Sequence, residues 1–120
     1  YHTFLLVDGG MNDNMRPAMY EAKYEAYLAN KMNEAPSTHY KVAGKLCETG
    51  DVLIEDVQLP EAAPGDLLIT PSTGAYAYSM SSNYNRMTRP AVVFVKDGET
   101  KVAVRRETYE DLIRNDEVME

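Results

Sequence analysis

Tyr40-Lys41-Val42-Ala43-Gly44-Lys45-Leu46-Cys47-Glu48-Thr49-Gly50-Asp51-Val52 is the stretch on which the reading of this chain turns. Residues 40–43 have the composition of a strand. They run into a polar segment bracketed by Gly44 and Gly50, where backbone freedom allows a turn. Residues 51–57 read as the next strand, with Val52, Ile54 and Asp56 expected on one face. The segment between holds the only cysteine of the chain, Cys47, and an acid, Glu48, follows it at once.

Upstream lies a second polar cluster. Thr3-Phe4-Leu5-Leu6-Val7 is an apolar run ended by Asp8-Gly9-Gly10, which predicts a buried strand followed by a turn. Tyr1 and His2 read as the opening of the same strand. Asn12, Asp13 and Asn14 can each cap a helix, and Pro17 suits a first helical turn. A short helix is therefore expected from Arg16 to Tyr20, with those two residues on one face. Residues 21–32 are ambiguous. Their Ala, Glu and Lys content favours helix, while Tyr24, Ala26 and Leu28 alternate with Glu25, Tyr27 and Ala29 as in a strand.

Downstream, Pro64-Gly65-Asp66 is a strong turn signal before an apolar strand, Leu67-Leu68-Ile69. Residues 75–80 suit a short helix or irregular structure. A clear β-run from Ala91 to Val95 meets Asp97-Gly98, the strongest hairpin signal in the chain, and residues 101–105 pair back. Thr108 opens a C-terminal helix as its cap. Short strands with turns every ~8–12 residues predict a mainly β fold, a β-barrel or sandwich with short helices. The length of 120 residues suits one domain over residues 1–120.

Composition narrows the function. Apolar residues make up 44% of the chain, enough for a globular core. No apolar run approaches the ~20 residues needed to cross a bilayer, so no membrane role is expected. No basic-then-apolar leader opens the chain, and a first residue other than Met suggests a piece of a longer or processed protein. The net charge of −7 disfavours nucleic acid, and Arg105-Arg106 is the only adjacent basic pair. Neither histidine has a second ligand at metal-site spacing, so no metal is expected. A single thiol fits a reducing, cytoplasmic setting.

Taken alone, each motif has a plain structural reading. Cys47 can be a small core hydrophobe beside a solvated acid. It can equally be a proton donor or nucleophile at a strand end, since a thiol pKa near ~8.5 is easily tuned. Arg16 and Tyr20 suit an exposed helix face, or a clamp in which a guanidinium fork and a phenol hold a carboxylate. Tyr76, Asn83, Tyr84 and Asn85 suit a Tyr-rich turn or interface, or a polar set around an anion such as phosphate. Residues 107–111 read as a capped surface helix without chemistry. No constellation here suffices for an enzyme on these grounds.

Together, these pieces resemble the diaminopimelate decarboxylase family, in its C-terminal domain. The resemblance is carried by Val7-Asp8-Gly9-Gly10-Met11-Asn12-Asp13, Arg16-Pro17-Ala18-Met19-Tyr20, residues 44–51, Pro64-Gly65-Asp66, Gly74-Ala75-Tyr76, residues 79–85, Arg89-Pro90-Ala91 and residues 105–108, in the family's order. Thr49 stands where Ser is common and Tyr78 where Phe is common. These fold type III enzymes carry pyridoxal 5'-phosphate on a lysine of an N-terminal α/β barrel. The cofactor serves as electron sink while the D-centre of meso-diaminopimelate loses its carboxylate, giving lysine and CO2.

The resemblance implies a homodimer with active sites at the subunit interface and an amino-acid substrate. Cys47 would be catalytic, reaching the neighbouring subunit's site as proton donor. Arg16 and Tyr20 would bind a substrate carboxylate, Glu48 the distal ammonium, and Tyr76 both cofactor and substrate. It also implies a strand over residues 23–31. The cofactor lysine, the barrel and its phosphate loop are not in this sequence, so the piece alone is expected to be inactive. Two alternatives stay open: a related decarboxylase of ornithine, arginine or carboxynorspermidine, and a non-catalytic regulatory β-domain.

Overall fold

The computed structural model describes residues 3–119. The chain divides into two units, Tyr1–Ser81 and Ser82–Glu120.

The first unit is built on a three-stranded sheet. Strand β1 (Thr3–Leu6) runs parallel to β3 (Thr38–Ala43), and β3 runs antiparallel to β4 (Val52–Leu59), in the order β1-β3-β4. The expected strand is present over Thr3–Leu6, but it is not buried: as an edge strand it turns Leu5 to the core and leaves Phe4 and Leu6 exposed; its first two residues, 1 and 2, lie outside the described part. The β3–β4 ladder is irregular. Tyr40 faces Val57 and Val42 faces Ile54, so two steps on β3 match three on β4; between Val42 and Ala43 one step matches two. Each extra residue reverses the side-chain phase of β4. That is why Ile54 and Leu59 are both buried. It also corrects the expectation for Asp56, which points outward and meets His39 at 3.0 Å.

The strand expected over residues 23–31 is mostly absent as a ladder. Only β2 (Tyr27–Leu28) pairs, antiparallel with β5 (Leu68–Ile69), and a 3-10 turn (Ala29–Lys31) follows. The alternation itself is correct. Tyr24, Ala26 and Leu28 face inward while Glu25, Tyr27 and Ala29 are exposed. The segment is extended without a neighbour to bond along most of its length, so its side chains alternate although its backbone does not pair.

The core lies between this segment and the sheet. Ala26, Val42 and Ile54 form one buried cluster, and Leu28, Tyr40 and Leu59 another; Leu5, Val57 and Leu68 pack against both. Burying a Leu or Val side chain fully stabilises the fold by about 1.5–3 kcal/mol. Tyr40 is buried as a ring, and its hydroxyl accepts the Ala62 N–H at 3.0 Å. The turn at residues 64–66 is anchored by Asp66. Its carboxylate takes the Asn30 side-chain amide at 2.7 Å, the Lys31 ammonium at 2.7 Å and the Ala63 N–H at 2.8 Å.

Helix α1 (Arg16–Tyr20) has Pro17 in its first turn as expected. Its cap is Met15, without a side-chain bond, and not Asn12, Asp13 or Asn14. Those three belong to the preceding turn, where Asp13 Oδ2 accepts the Gly10 N–H at 3.1 Å. Burial pushes the Asp13 carboxyl upward, against the lowering effect of that bond. A four-residue helix, α2 (Ala77–Met80), closes the unit.

In the second unit, β6 (Val92–Lys96) and β7 (Glu99–Val104) form the expected hairpin. Asp97 and Gly98 both have positive φ, 51° and 78°, as a two-residue type I′ turn requires. Helix α3 (Tyr109–Ile113) begins at Thr108, whose N–H is taken by Asp111 at 2.7 Å. The fold is mainly β with short helices. No sheet among the described residues closes into a barrel. No helix among them is long and apolar enough to cross a membrane.

Two stability predictions follow from these turns. Hydrogen bonds from Lys31, Asn30 and Ala63 hold the Asp66 carboxyl below its ordinary 3.8, at about 2. A folded value below the unfolded one stabilises the fold above the unfolded value, and that contribution is lost as pH falls through the folded one. Asp66→Asn should therefore lower the melting temperature at neutral pH, with the gap to the wild type closing between about pH 4 and about pH 2. A gap independent of pH would refute this. At Gly98 an added Cβ would meet no atom within 4 Å, so only backbone strain opposes it. Gly98→Ala should cost about 1 kcal/mol in denaturant unfolding.

Candidate functional site

The site grows from the ends of β1 and β3. Their parallel pairing continues past the strands: Val7 N–H bonds Ala43 at 3.0 Å and Lys45 N–H bonds Gly9 at 3.2 Å. The two polar clusters, residues 8–20 and 44–51, are thereby joined in one chain.

Asp51 fastens the junction. It is 3% exposed, and its side chain reaches back across both turns. Oδ1 accepts the Met11 N–H at 2.7 Å and Oδ2 accepts the Leu46 N–H at 2.8 Å. Its backbone oxygen takes the Gly44 N–H at 2.9 Å. Gly44 is dictated by this arrangement, because a Cβ there would lie 2.6 Å from the Asp51 carboxyl carbon. The site's supporting residue is thus one that sequence reasoning treated as the start of a strand. The available signal was an acid closing a segment that opens with glycine.

The turn so held carries Cys47 and Glu48. Leu46 is buried and Cys47 beside it is exposed, so the turn anchors itself with one side chain and presents the next. Cys47 is therefore not a core residue. Glu48 is half-buried, and its Oε1 accepts the Gly50 N–H at 3.0 Å and the Thr49 hydroxyl at 3.3 Å. These bonds hold one oxygen of the carboxylate against the turn itself.

Arg16 opens α1 and is half-buried. Its guanidinium carbon sits 5.1 Å from the centre of the Tyr76 ring, a cation–π arrangement, and Nη1 lies 3.5 Å from the Tyr24 hydroxyl. Tyr24 was missed as a site residue because alternation marks it only as inward-facing. Tyr20 is 62% exposed and Tyr76 55% exposed. A guanidinium with one phenol ring against its face and a second tyrosine's hydroxyl at one nitrogen keeps a planar fork suited to a carboxylate. In its own unit, Asn83 is internal. Its amide donates to Glu107 Oε2 at 2.6 Å and to the Met87 carbonyl at 2.9 Å. Glu107 also takes the Arg89 N–H at 2.8 Å and the Arg89 guanidinium at 3.0 Å. These bonds, the Arg89 N–H foremost, hold the Glu107 carboxyl below its ordinary range. The N–H groups of the Asn83 amide are thus engaged within its own unit.

The pyridoxal-dependent decarboxylase C-terminal sheet domain matches residues 1–74. Diaminopimelate decarboxylase of Bacillus subtilis (strain 168) is 58% identical over 113 residues, covering 94% of this chain and 26% of that protein. The crystal structure of diaminopimelate decarboxylase from M. jannaschii aligns over 97% of this chain and 26% of that chain, with 38% identity and a TM-score of 0.87. The Helicobacter pylori enzyme complexed with L-lysine covers 92% and 27%, with 38% identity and a TM-score of 0.79. The chain spans about a quarter of the length of these relatives. With the family match reaching across the joined clusters that hold Arg16, Cys47 and Asp51, the chain belongs to the C-terminal sheet-domain family of pyridoxal-dependent decarboxylases.

Proposed function

We propose that residues 1–120 serve as the C-terminal, substrate-contacting domain of a diaminopimelate decarboxylase. The whole protein would convert meso-2,6-diaminopimelate to L-lysine and CO2, the last step of lysine biosynthesis, in the cytoplasm. The observation that carries this reading is the junction of the two polar clusters, where one framework supports Arg16 and the turn of Cys47 and Glu48. The L-lysine named with the Helicobacter pylori structure is the product such a reaction gives.

The residues suit their roles chemically. Arg16, with its fork backed by Tyr24 and Tyr76, binds a substrate carboxylate, and the exposed Tyr20 hydroxyl adds a donor. The Glu48 carboxylate, held at one oxygen by the Gly50 N–H, meets the ammonium at the far end of the substrate. Cys47 is exposed, as a thiol must be to deliver a proton to carbon outside its own fold. On this reading it does so in the active site of a homodimeric partner. Tyr76 has an open phenol ring beside Arg16, which fits contact with both cofactor and substrate. Pyridoxal phosphate, when bound, supplies the sink for the electrons left by the departing carboxylate. The same reading takes the open sheets as parts of a β-barrel or sandwich completed in the intact protein.

Steady-state kinetics on the full-length protein test these roles. Cys47→Ala should lower kcat by about 10²-fold or more with KM little changed, since a proton donor acts in the transition state. Glu48→Gln should raise KM for diaminopimelate far more than for ornithine or arginine. Undiminished turnover by Cys47→Ala would reject the proton-donor role, and faster turnover of ornithine, arginine or carboxynorspermidine would reject the substrate. The 120-residue chain alone, mixed with substrate and pyridoxal phosphate, should release no CO2. Measurable release would refute the need for the rest of the protein.

A further inference from the structure

We infer that Asp51 is a positioning residue for catalysis, setting where Cys47 and Glu48 stand by clamping the backbone on both sides of the junction. The inference rests on the reading of Cys47 as proton donor, and deepens it.

Asp51 has an unusual environment for an acid. It is buried, yet its side-chain bonds run to two main-chain N–H groups, Leu46 at 2.8 Å and Met11 at 2.7 Å. Bonds from N–H to an ionised carboxylate are about twice as strong as neutral ones. Leu46 immediately precedes Cys47. Met11 belongs to the turn that leads into α1 and Arg16. One carboxylate therefore fixes the turn bearing the thiol relative to the turn feeding the carboxylate clamp. Gly44 clears the space that the carboxylate occupies. Glu48 adds a second tie through Gly50, so the turn is held at both ends. A thiol on such a turn can move little, and a misplacement of about 1 Å can cost about 10²-fold in rate.

Asn can accept from only one of the two N–H groups and turns its amide against the other. Asp51→Asn therefore loosens the turn while preserving side-chain volume. In the full-length holoenzyme, Asp51→Asn should lower kcat by about 10²-fold. The Cys47→Ala/Asp51→Asn double variant should keep the kcat of Cys47→Ala, because Asp51 acts on the proton step through the thiol, while the displaced Glu48 shows as a raised KM in both Asp51→Asn variants. Amide exchange should rise at Leu46 and Met11 while Val42 and Ile54 keep their protection. Losses of kcat that multiply in the double variant, wild-type turnover by Asp51→Asn, or loss of protection throughout β3 and β4 would overturn the inference.

The two possible failures are distinct. Wild-type turnover by Cys47→Ala rejects the proton-donor reading, and this inference with it. An impaired Cys47→Ala with an independent Asp51→Asn effect on kcat rejects only the inference. Should Asp51→Asn not fold, the unaltered protein decides: Leu46 and Met11 amides must exchange far more slowly than that of Thr49, exposed on the same turn, and equal rates refute the clamp.

Discussion

A single buried carboxylate carries the architecture of the first unit. Without Asp51, the turns after β1 and β3 would each lose the acceptor of a main-chain N–H, half-buried at Met11 and buried at Leu46. An unpaired buried donor costs about 1–3 kcal/mol. With it, two turns far apart in sequence become one rigid corner at the end of a parallel strand pair. The glycine at residue 44 is the steric counterpart of that acid, and neither residue has a reason to be there without the other. Candidate site residues then follow from neighbours of the corner: Cys47 one step past Leu46, and Arg16 at the start of the helix that the residue-11 turn leads into.

Much of this was legible in the sequence where local chemistry decides. The Asp97-Gly98 hairpin follows from two residues that tolerate positive φ, and the Thr108 cap from a hydroxyl before a helical run with an acid at its third position. Helix α1 was legible from Pro17. Its cap was not, because the polar residues before it fold into a separate turn, where Asp13 bonds Gly10 and the side-chain oxygens of Asn12 and Asn14 reach no helix N–H. Residues 23–31 mark the boundary of local inference. Alternation told which side chains face the core, but a paired ladder needs a neighbouring strand, and β5 is long enough to pair with only Tyr27 and Leu28.

Sequence chemistry nominated the candidate residues, and the contacts that support them were not legible. Residue types marked Cys47, Arg16 and Tyr20 as chemically able, while the resemblance nominated Glu48 and gave Tyr76 its role. Nothing in their spacing reveals that the Tyr76 ring lies over Arg16. Asp51 and Tyr24 escaped because their roles depend on contacts with residues distant in sequence or on a face that periodicity leaves undistinguished. Asn83 shows the converse: the N–H groups of a side chain suited to ligands go to Glu107 and Met87 within its own unit. The irregular β3–β4 ladder, with its reversals of phase, likewise could not be read from β4 alone.

The first strand has a consequence for the chain in solution. β1 is an edge of its sheet, and Phe4 and Leu6 stand 57% and 72% exposed on it. A row of unbonded amides flanked by oily side chains is adhesive towards any similar row. What keeps such molecules apart is mutual repulsion from a net charge of −7. Acidification towards the isoelectric point near 4.8 erases that repulsion while leaving the strand edge unchanged, so self-association through this edge is favoured as the pH falls.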